Sequence, residues 1–342
     1  MFVYISIFVM GLLTAFRGTL KRFYAFIYVS IIGLIVGFRS ESVGVDTERY
    51  HSSFYKIANE GYNHRDFAYS AFANILSAIG GGVVLLKTVL AFMVVAPIGY
   101  VVYKESKFPP LSYAFFFASG FFAFSMSGMR QAAAVGLIFI AFHLAYETRY
   151  RVALSLILFS IGLHASALVM LLAVPLIFMN TSVTLVFLMV SWVFSIIFLF
   201  QPSLSYQFMD LFYWLVPARF EVYLAEGEGA SLGLSSLFDQ FLFLASAFSF
   251  YYIKDKYARI SIILFCFGVV FGNIFSVVDH VSRLSHYFIV FGVISLPSIV
   301  AVVGNARVRR TILVILYALL AVQFVFRVVV DPYQIVPYGI YY

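Results

Sequence analysis

Apolar runs long enough to cross a lipid bilayer recur along almost the whole chain of 342 residues, and they constrain its fold most strongly. A membrane-spanning helix needs about 20 mainly apolar residues. Only 11% of the residues are charged, against about 25% in typical soluble proteins. The sequence therefore excludes a soluble domain, a disordered chain and a secreted disulfide scaffold, and predicts an all-α, polytopic integral membrane protein. The runs are Met1–Phe16, Phe23–Phe38, Val83–Tyr103, Leu111–Met126, Gln131–Ala145, Thr184–Phe200, Leu234–Ile253, Ile260–Val278, Tyr287–Val303 and Thr311–Val330.

Short clusters of basic residues between these runs predict which loops face the cytoplasm. Loops rich in lysine and arginine are retained on the inner side of a membrane, so all five clusters are placed there. The net charge of +7 is then explained by topology, and nucleic acid is not an expected partner. The clusters are Arg17/Lys21/Arg22, Lys104/Lys107, Arg149/Arg151, Lys254/Lys256/Arg259 and Arg307/Arg309/Arg310.

The parity of the crossings predicts two interrupted helices. The run Val152–Met179 must form two short helices that join near His164, because an odd number of crossings is needed before the next outer loop. The segment Phe67–Ile79 cannot be a full crossing and is expected to be a re-entrant half-helix that ends at Gly80–Gly82.

With these breaks, the chain is expected to form about twelve transmembrane helices plus half-helices, with both termini outside. The whole of residues 1–342 is predicted to be one transmembrane domain. Its large outer-side loops span residues 39–66 and 201–233, and such long loops often carry function.

The second outer loop contains Tyr213, Trp214 and Arg219 near several acidic residues. Aromatic rings stack on the C–H faces of sugars, so this loop is a candidate glycan-binding surface. The alternative is an interfacial amphipathic helix with a belt of aromatic residues.

Three arginines lie at the predicted outer ends of helices: Arg39, Arg130 and Arg283. Arginine suits phosphate, because its planar guanidinium makes paired hydrogen bonds and stays charged. Together the three predict a clamp for a diphosphate, whereas each alone is also compatible with anchoring to lipid headgroups. Lys87 is expected to extend its ammonium to the outer interface.

Several short motifs resemble those of bacterial polysaccharide polymerases. Residues Arg39–Phe54 resemble the Arg…Val-Gly-x-Asp-Thr…Tyr…Phe signature of O-antigen polymerases of the Wzy type, and the nearest branch is the EpsG-like family. The other motifs follow in the family's order: Asp66-Phe-Ala-Tyr69, Arg130-Gln131-Ala-Ala-Ala, His164-Ala-Ser166-Ala-Leu168 and Arg283-Leu-Ser-His-Tyr287.

The resemblance implies a glycosyltransferase of the bacterial inner membrane whose active site faces the periplasm or exterior. Its substrate would be an undecaprenyl-diphosphate-linked oligosaccharide. Its expected partners are membrane lipids and, as a possible further partner, a regulator of polysaccharide chain length. The matching positions imply that Tyr50, Asp66 and Gln131 contact the glycan and that Tyr287 helps the arginines bind the diphosphate.

The expected reaction requires neither a metal ion nor another cofactor. A diphosphate is already a good leaving group, so arginines such as Arg130 can stabilise it in place of a metal. Either His164 or Asp46 is a candidate general base. His164 is equally compatible with orienting the acceptor or with a hydrogen bond in the core.

Two rival functions share much of this pattern. An O-antigen ligase uses the same kind of donor, and its site would look similar in one sequence. A transporter or flippase of lipid-linked glycan has a comparable number of helices, although such proteins usually show matched broken helices in both halves. The predicted breaks at Gly80–Gly82 and His164 have no counterpart in the second half.

Overall fold

The computed structural model describes residues 1–13, 19–60, 66–178, 181–211, 233–276 and 279–341, and the regular elements among them are helices. This confirms the predicted all-α class. The α-helices are Phe2–Leu12, Thr19–Gly37, Thr47–Glu60, Phe67–Ala78, Val83–Glu105, Pro109–Ala118, Phe121–Ser127, Met129–Tyr146, Tyr150–Leu163, Val174–Phe178, Thr181–Phe200, Pro202–Leu211, Leu234–Ser249, Lys256–Ile274, Asp279–Ser282, His286–Ile289, Gly292–Ala301 and Ala306–Val330. The 3₁₀ helices in the same described ranges are Ala165–Ala173, Phe250–Tyr252 and Arg283–Ser285.

Within the described ranges, 6 helical segments are long and apolar enough to cross a membrane. Shorter apolar helices accompany them, so the chain is a polytopic membrane protein, as predicted. The predicted number of about twelve crossings stays a prediction. The long segments are Val83–Glu105, Met129–Tyr146, Ser182–Phe200, Lys256–Ile274, Arg283–Ala301 and Ala306–Val330.

Both predicted helix breaks are present. The half-helix Phe67–Ala78 is followed by Gly80 at φ +77°, a backbone conformation that glycine adopts without steric cost, and the next helix begins at Val83. The helix Tyr150–Leu163 ends at His164, whose backbone is extended before the chain continues as a 3₁₀ helix.

The prediction of one continuous helix over the run Leu111–Met126 is wrong. The structure has two short helices there, separated at Gly120, which has φ +80°. A side chain at Gly120 would collide with the side chain of Arg327, which packs against the bend. The run is apolar on both sides of the bend, so hydropathy alone does not reveal it.

The chain forms two compact units, and each is described by itself. The first comprises Met1–Leu168 with Leu296–Tyr342, and the second comprises Val169–Ser295. In the first unit, the helix Val83–Glu105 packs between Thr19–Gly37 and Met129–Tyr146. That the whole chain acts as one domain stays a prediction.

One end of the first unit is marked by His143, which is fully buried between two carboxylates. Its Nδ1 lies 3.6 Å from Glu105 Oε1, and its Nε2 lies 3.4 Å from Glu147 Oε1. Lys104 directly precedes Glu105 and Arg149 follows Glu147 by two residues, so two of the basic clusters lie near this end of the unit. Which side of the membrane this end faces stays a prediction.

In the second unit, a partly buried polar network links three helices. Trp192 Nε1 donates to Gln240 Oε1 at 2.7 Å, and Gln240 Nε2 donates to Asn273 Oδ1 at 2.9 Å. Asn273 Nδ2 donates in turn to Ser195 Oγ at 2.9 Å. Such bonds stabilise helix packing in an apolar environment. Cys266, on the same helix as Asn273, is buried.

Candidate functional site

The loop that follows the helix Thr19–Gly37 is folded around the guanidinium of Arg39. Its Nη2 donates to Met126 O at 2.7 Å, its Nε donates to Val43 O at 3.2 Å, and its Nη1 donates to Val36 O. The side chain is fully buried. Burial lowers the pKa of Arg39 to about 10, so the group stays charged at neutral pH. Arg39 thus links its own loop to the segment that contains Met126.

These contacts favour a structural role for Arg39 over the predicted role in diphosphate binding, because its donors face backbone carbonyls. The side chain of Lys87 is also fully buried, so protein atoms cover its ammonium, and its predicted extension to the outer interface stays a prediction. Its ammonium donates to Arg39 O and lies 4.9 Å from the centre of the Tyr341 ring. The ammonium thereby gains the partners that burial demands.

The same loop also contains Asp46, one of the two predicted candidates for the general base. Gly44 has φ +94°, and a side chain there would collide with Met126 O, so only glycine fits this approach. Asp46 Oδ2 accepts a hydrogen bond from Ser127 Oγ at 3.4 Å, and Oδ1 lies 3.4 Å from the exposed Arg49 Nη1. The Asp46 side chain is 20% exposed, so it can meet a substrate while neighbours orient it.

Arg130 lies at the start of the helix Met129–Tyr146 and is held from several directions. Its Nη1 forms an ion pair with Asp66 Oδ2 at 2.7 Å. The guanidinium carbon lies 4.9 Å from the centre of the Tyr69 ring and 5.6 Å from that of Tyr50. Cation–π contacts of this kind hold a guanidinium in place. The side chain remains 21% exposed, so a ligand can reach it.

The structure therefore brings together three residues that the sequence predicted, namely Tyr50, Asp66 and Arg130. Tyr50 Oη also accepts a hydrogen bond from the backbone N–H of Arg130 at 3.3 Å. Two residues of this site were missed as site residues, Ser127 and Tyr69. Tyr69 stands three residues after Asp66 on the half-helix, and this helical spacing was the available signal.

Tyr50 and Tyr69 belong to a buried hydrophobic cluster that also contains Leu163. His164 directly follows Leu163 and therefore lies beside this cluster. The imidazole is partly exposed. Its Nδ1 lies 2.6 Å from Ser166 Oγ and accepts the backbone N–H of Ser166 at 3.3 Å. Since a backbone N–H only donates, Nδ1 is the acceptor, and the proton of the neutral ring lies on Nε2. His164 is thus arranged to donate a hydrogen bond through Nε2.

The other predicted site residues are Gln131, Arg283, Tyr287 and three residues of the second outer loop. Gln131 is buried beside Arg130 in the sequence, at 7% exposure. Arg283 is partly exposed and Tyr287 is fully buried, and both belong to the second compact unit. The diphosphate clamp of three arginines thus stays a prediction. Tyr213, Trp214 and Arg219 fall outside the described residues.

The helical membrane fold and this arginine–carboxylate site define a polytopic membrane protein that can present a guanidinium to an anionic substrate. The sequence matches the model of the EpsG family over residues 21–340, and the chain belongs to that family. Membership indicates a polysaccharide polymerase-type function, which is glycosyltransferase-like. Searches of curated proteins and of solved structures found no match.

Proposed function

We propose that the protein is a polysaccharide polymerase that transfers a glycan from undecaprenyl diphosphate to a lipid-linked repeat unit on the outer side of the membrane. Membership of the EpsG family supports the class of reaction. The observation that carries the proposal is the accessible guanidinium of Arg130, which Asp66 and two tyrosine rings hold at the first turn of a helix.

Arg130 binds the diphosphate of the donor in this proposal. A guanidinium pairs with phosphate oxygens through two parallel N–H···O bonds. The N-terminus of the helix Met129–Tyr146 adds the partial positive charge of the helix dipole at the same place. Both stabilise the negative charge that develops on the diphosphate as its bond to the sugar breaks. Asp66 binds one edge of the Arg130 guanidinium. This ion pair orients the opposite edge, which binds the phosphate in this proposal.

Asp46 is the proposed general base, and His164 is the proposed hydrogen-bond donor. The acceptor hydroxyl passes its proton to the carboxylate of Asp46 while its oxygen forms the new glycosidic bond and the diphosphate leaves. A carboxylate oriented by Ser127 and still accessible suits this step. His164 presents an N–H from Nε2, since Nδ1 accepts from Ser166, and this suits orientation of the acceptor or the diphosphate.

Replacing His164 with Gln is expected to retain much of the activity, and replacing it with Ala is expected to reduce it clearly. The glutamine amide still donates a hydrogen bond but cannot accept a proton near neutral pH. Polymer length distributions of the two variants, at matched protein levels in the membrane, measure the difference. Abolition of polymer by His164→Gln, with lipid-linked substrate still bound, would instead make His164 the base.

The function itself is tested by the glycans of a strain that lacks this chain. A polymerase defect leaves single repeat units on the final acceptor or accumulates lipid-linked repeats, and the wild-type chain restores the polymer. Complete polymer stranded on the polyprenyl lipid would identify a ligase. Lipid-linked repeats confined to the inner leaflet would identify a flippase.

A second test uses the purified chain in proteoliposomes with lipid-linked repeat units as both donor and acceptor. The proposal expects chains of two or more repeats and release of undecaprenyl diphosphate, without any nucleotide sugar. The absence of lengthening by a correctly inserted wild-type chain contradicts the proposal.

A further inference from the structure

The segment Asp331–Tyr341, named here the C-terminal strap, turns back from the end of the helix Ala306–Val330. Asp331 adopts a left-handed conformation with φ +46° and reverses the chain. Its carboxylate oxygens accept the backbone N–H groups of Ile335 and Val336 at 2.7 and 2.8 Å. The strap therefore starts with a defined turn, stabilised by its own side chain.

The strap pairs with the backbone of the loop that contains Arg39 and Gly44. The two chains run antiparallel and form a bridge between Arg39 and Ile340. Four backbone hydrogen bonds join them: Ser40 N to Gly339 O at 2.8 Å, Gly44 N to Gln334 O at 2.9 Å, Val45 N to Tyr333 O at 3.1 Å and Tyr341 N to Phe38 O at 2.8 Å. The loop thus has the Arg39 guanidinium on one side and the strap on its backbone.

Side chains fix the strap to the surrounding helices as well as to the loop. Tyr4 Oη donates to Ile335 O at 2.6 Å, and Tyr338 Oη donates to Ile35 O at 2.9 Å. The centre of the Tyr341 ring lies 4.9 Å from the ammonium of Lys87 and 5.6 Å from the centre of the His51 ring. The strap is therefore held at both its beginning and its end.

The pairing of strap and loop ends directly before Asp46, the proposed base. The N–H groups of Gly44 and Val45 are both bound to the strap, so the strap controls the backbone path into Asp46. Ser127 and Arg49 each lie 3.4 Å from the Asp46 carboxylate and help to orient it. The strap adds to this by fixing the backbone that leads into Asp46.

We propose that the C-terminal strap is a positioning element of the glycosyl-transfer site, which holds the Gly44–Asp46 backbone so that the Asp46 carboxylate faces the acceptor hydroxyl. The inference rests on the proposed function and extends it to a segment far from the site residues in the sequence. Displacing the strap lowers the rate of transfer and leaves the binding of the donor at Arg130 largely intact.

Gly339 offers a substitution that disturbs the strap at the loop. A Cβ at Gly339 would lie 2.7 Å from Ser40 Oγ and 3.3 Å from Ser40 Cβ, so a valine must displace the Ser40 side chain and crowds the contact between strap and loop. Gly304 is the matched control, because nothing lies within 4 Å of its Cβ position. Gly339→Val is expected to lower kcat by about 10- to 100-fold with little change in KM, since small misplacements of reacting groups are costly. Gly304→Val is expected to match the wild type.

Adding Ser40→Gly to Gly339→Val should recover part of the lost kcat, because it removes both atoms that the valine meets. A general loss of stability from the valine would not be corrected in this way. Equal kcat values for Gly339→Val and Gly304→Val overturn the inference. A fall in kcat that Ser40→Gly leaves unchanged also overturns it.

A disulfide tests the same contact without disturbing it. Built on the backbone, the Cβ positions of residues 40 and 339 lie 3.3 Å apart, which is close to the range of about 3.5–4.5 Å found in disulfides. Oxidation of the Ser40→Cys/Gly339→Cys variant should give a crosslinked chain that still makes polymer, because a positioning element does not need to leave the loop. Loss of activity on oxidation, with recovery on reduction, contradicts a static positioning role.

These outcomes are distinguishable from a failure of the proposed function. If the wild type and Gly304→Val do not lengthen lipid-linked repeats, the proposed polymerase reaction is wrong. The inference that the strap positions a residue for that reaction is then wrong as well. The yield of crosslink still measures whether the strap lies on the loop in that case. If both are active and the strap variants behave like them, only the strap inference is wrong.

Discussion

Replacing Arg130 with Lys is expected to reduce polymer formation by about 100- to 1000-fold, the usual cost of removing one preorganised electrostatic stabiliser. Lysine keeps the positive charge but lacks the planar set of donors that pairs with Asp66 on one edge and with a phosphate on the other. Replacing Arg130 with Ala should cost at least as much. The rate of lengthening of lipid-linked repeats by purified variants measures both effects.

The control for this prediction is Arg307→Lys, because Arg307 is exposed at the start of the helix Ala306–Val330 and belongs to a predicted cytoplasmic cluster. It should leave polymer formation unchanged. Arg39→Ala is expected to act differently, through stability. It removes the hydrogen bonds to the carbonyls of Val43 and Met126 and should lower the amount of inserted protein. Wild-type polymer from Arg130→Ala in a normally inserted chain would show that Arg130 does not bind the diphosphate.

The helix breaks at Gly80 and His164 were predictable because they follow from counting. The positively charged loops predict which side of the membrane each loop faces. The sides of two successive loops determine whether the number of crossings between them is odd or even. A run such as Val152–Met179 must then fold back to give the required number. The bend at Gly120 was not predictable in this way. It changes neither the hydropathy nor the charge of its surroundings, and the side chain that packs against it, Arg327, is more than 200 residues away in the sequence.

The site residues were partly predictable, whereas their partners were not. Arg130 and Asp66 both stood out as polar residues at helix ends, but they are 64 positions apart, and the sequence alone did not pair them. Arg39 stood out for the same reason, yet its fully buried guanidinium donates to carbonyls. A charge beside an apolar run signals that some partner exists, and only the fold shows whether it is a ligand or the backbone.

The C-terminal strap left no trace in the motif pattern for a physical reason. Its contacts with the loop run through backbone N–H and C=O groups, which every residue except proline carries in full. Only the family match, which extends to residue 340, indicates that this segment belongs with the rest of the chain. Side-chain motifs therefore locate the chemistry, while the backbone pairing that positions it becomes visible in the structure.

Replacing Asp46 with Asn is expected to lower the rate of glycosyl transfer by about 100- to 10,000-fold, the usual contribution of a general base. Asparagine has nearly the same shape, and its amide oxygen still accepts the bond from Ser127 Oγ. The loop and its packing around Arg39 are therefore preserved. The change removes one property, the ability to take the proton of the acceptor hydroxyl. Donor binding, measured with labelled undecaprenyl diphosphate, should stay close to that of the wild type because Arg130 is untouched.

Glu48→Gln is the matched control for Asp46→Asn, because Glu48 is an exposed carboxylate on the first turn of the adjoining helix. Both substitutions remove one negative charge near the site, so a purely electrostatic effect would appear in both. A base effect appears in Asp46→Asn alone, because only Asp46 is placed to take the proton of the acceptor hydroxyl. Near wild-type activity of Asp46→Asn would contradict the assignment. If His164→Gln were inactive at the same time, the proton would go to His164, and the hydrogen bond between Ser166 N–H and Nδ1 would have to break during the reaction.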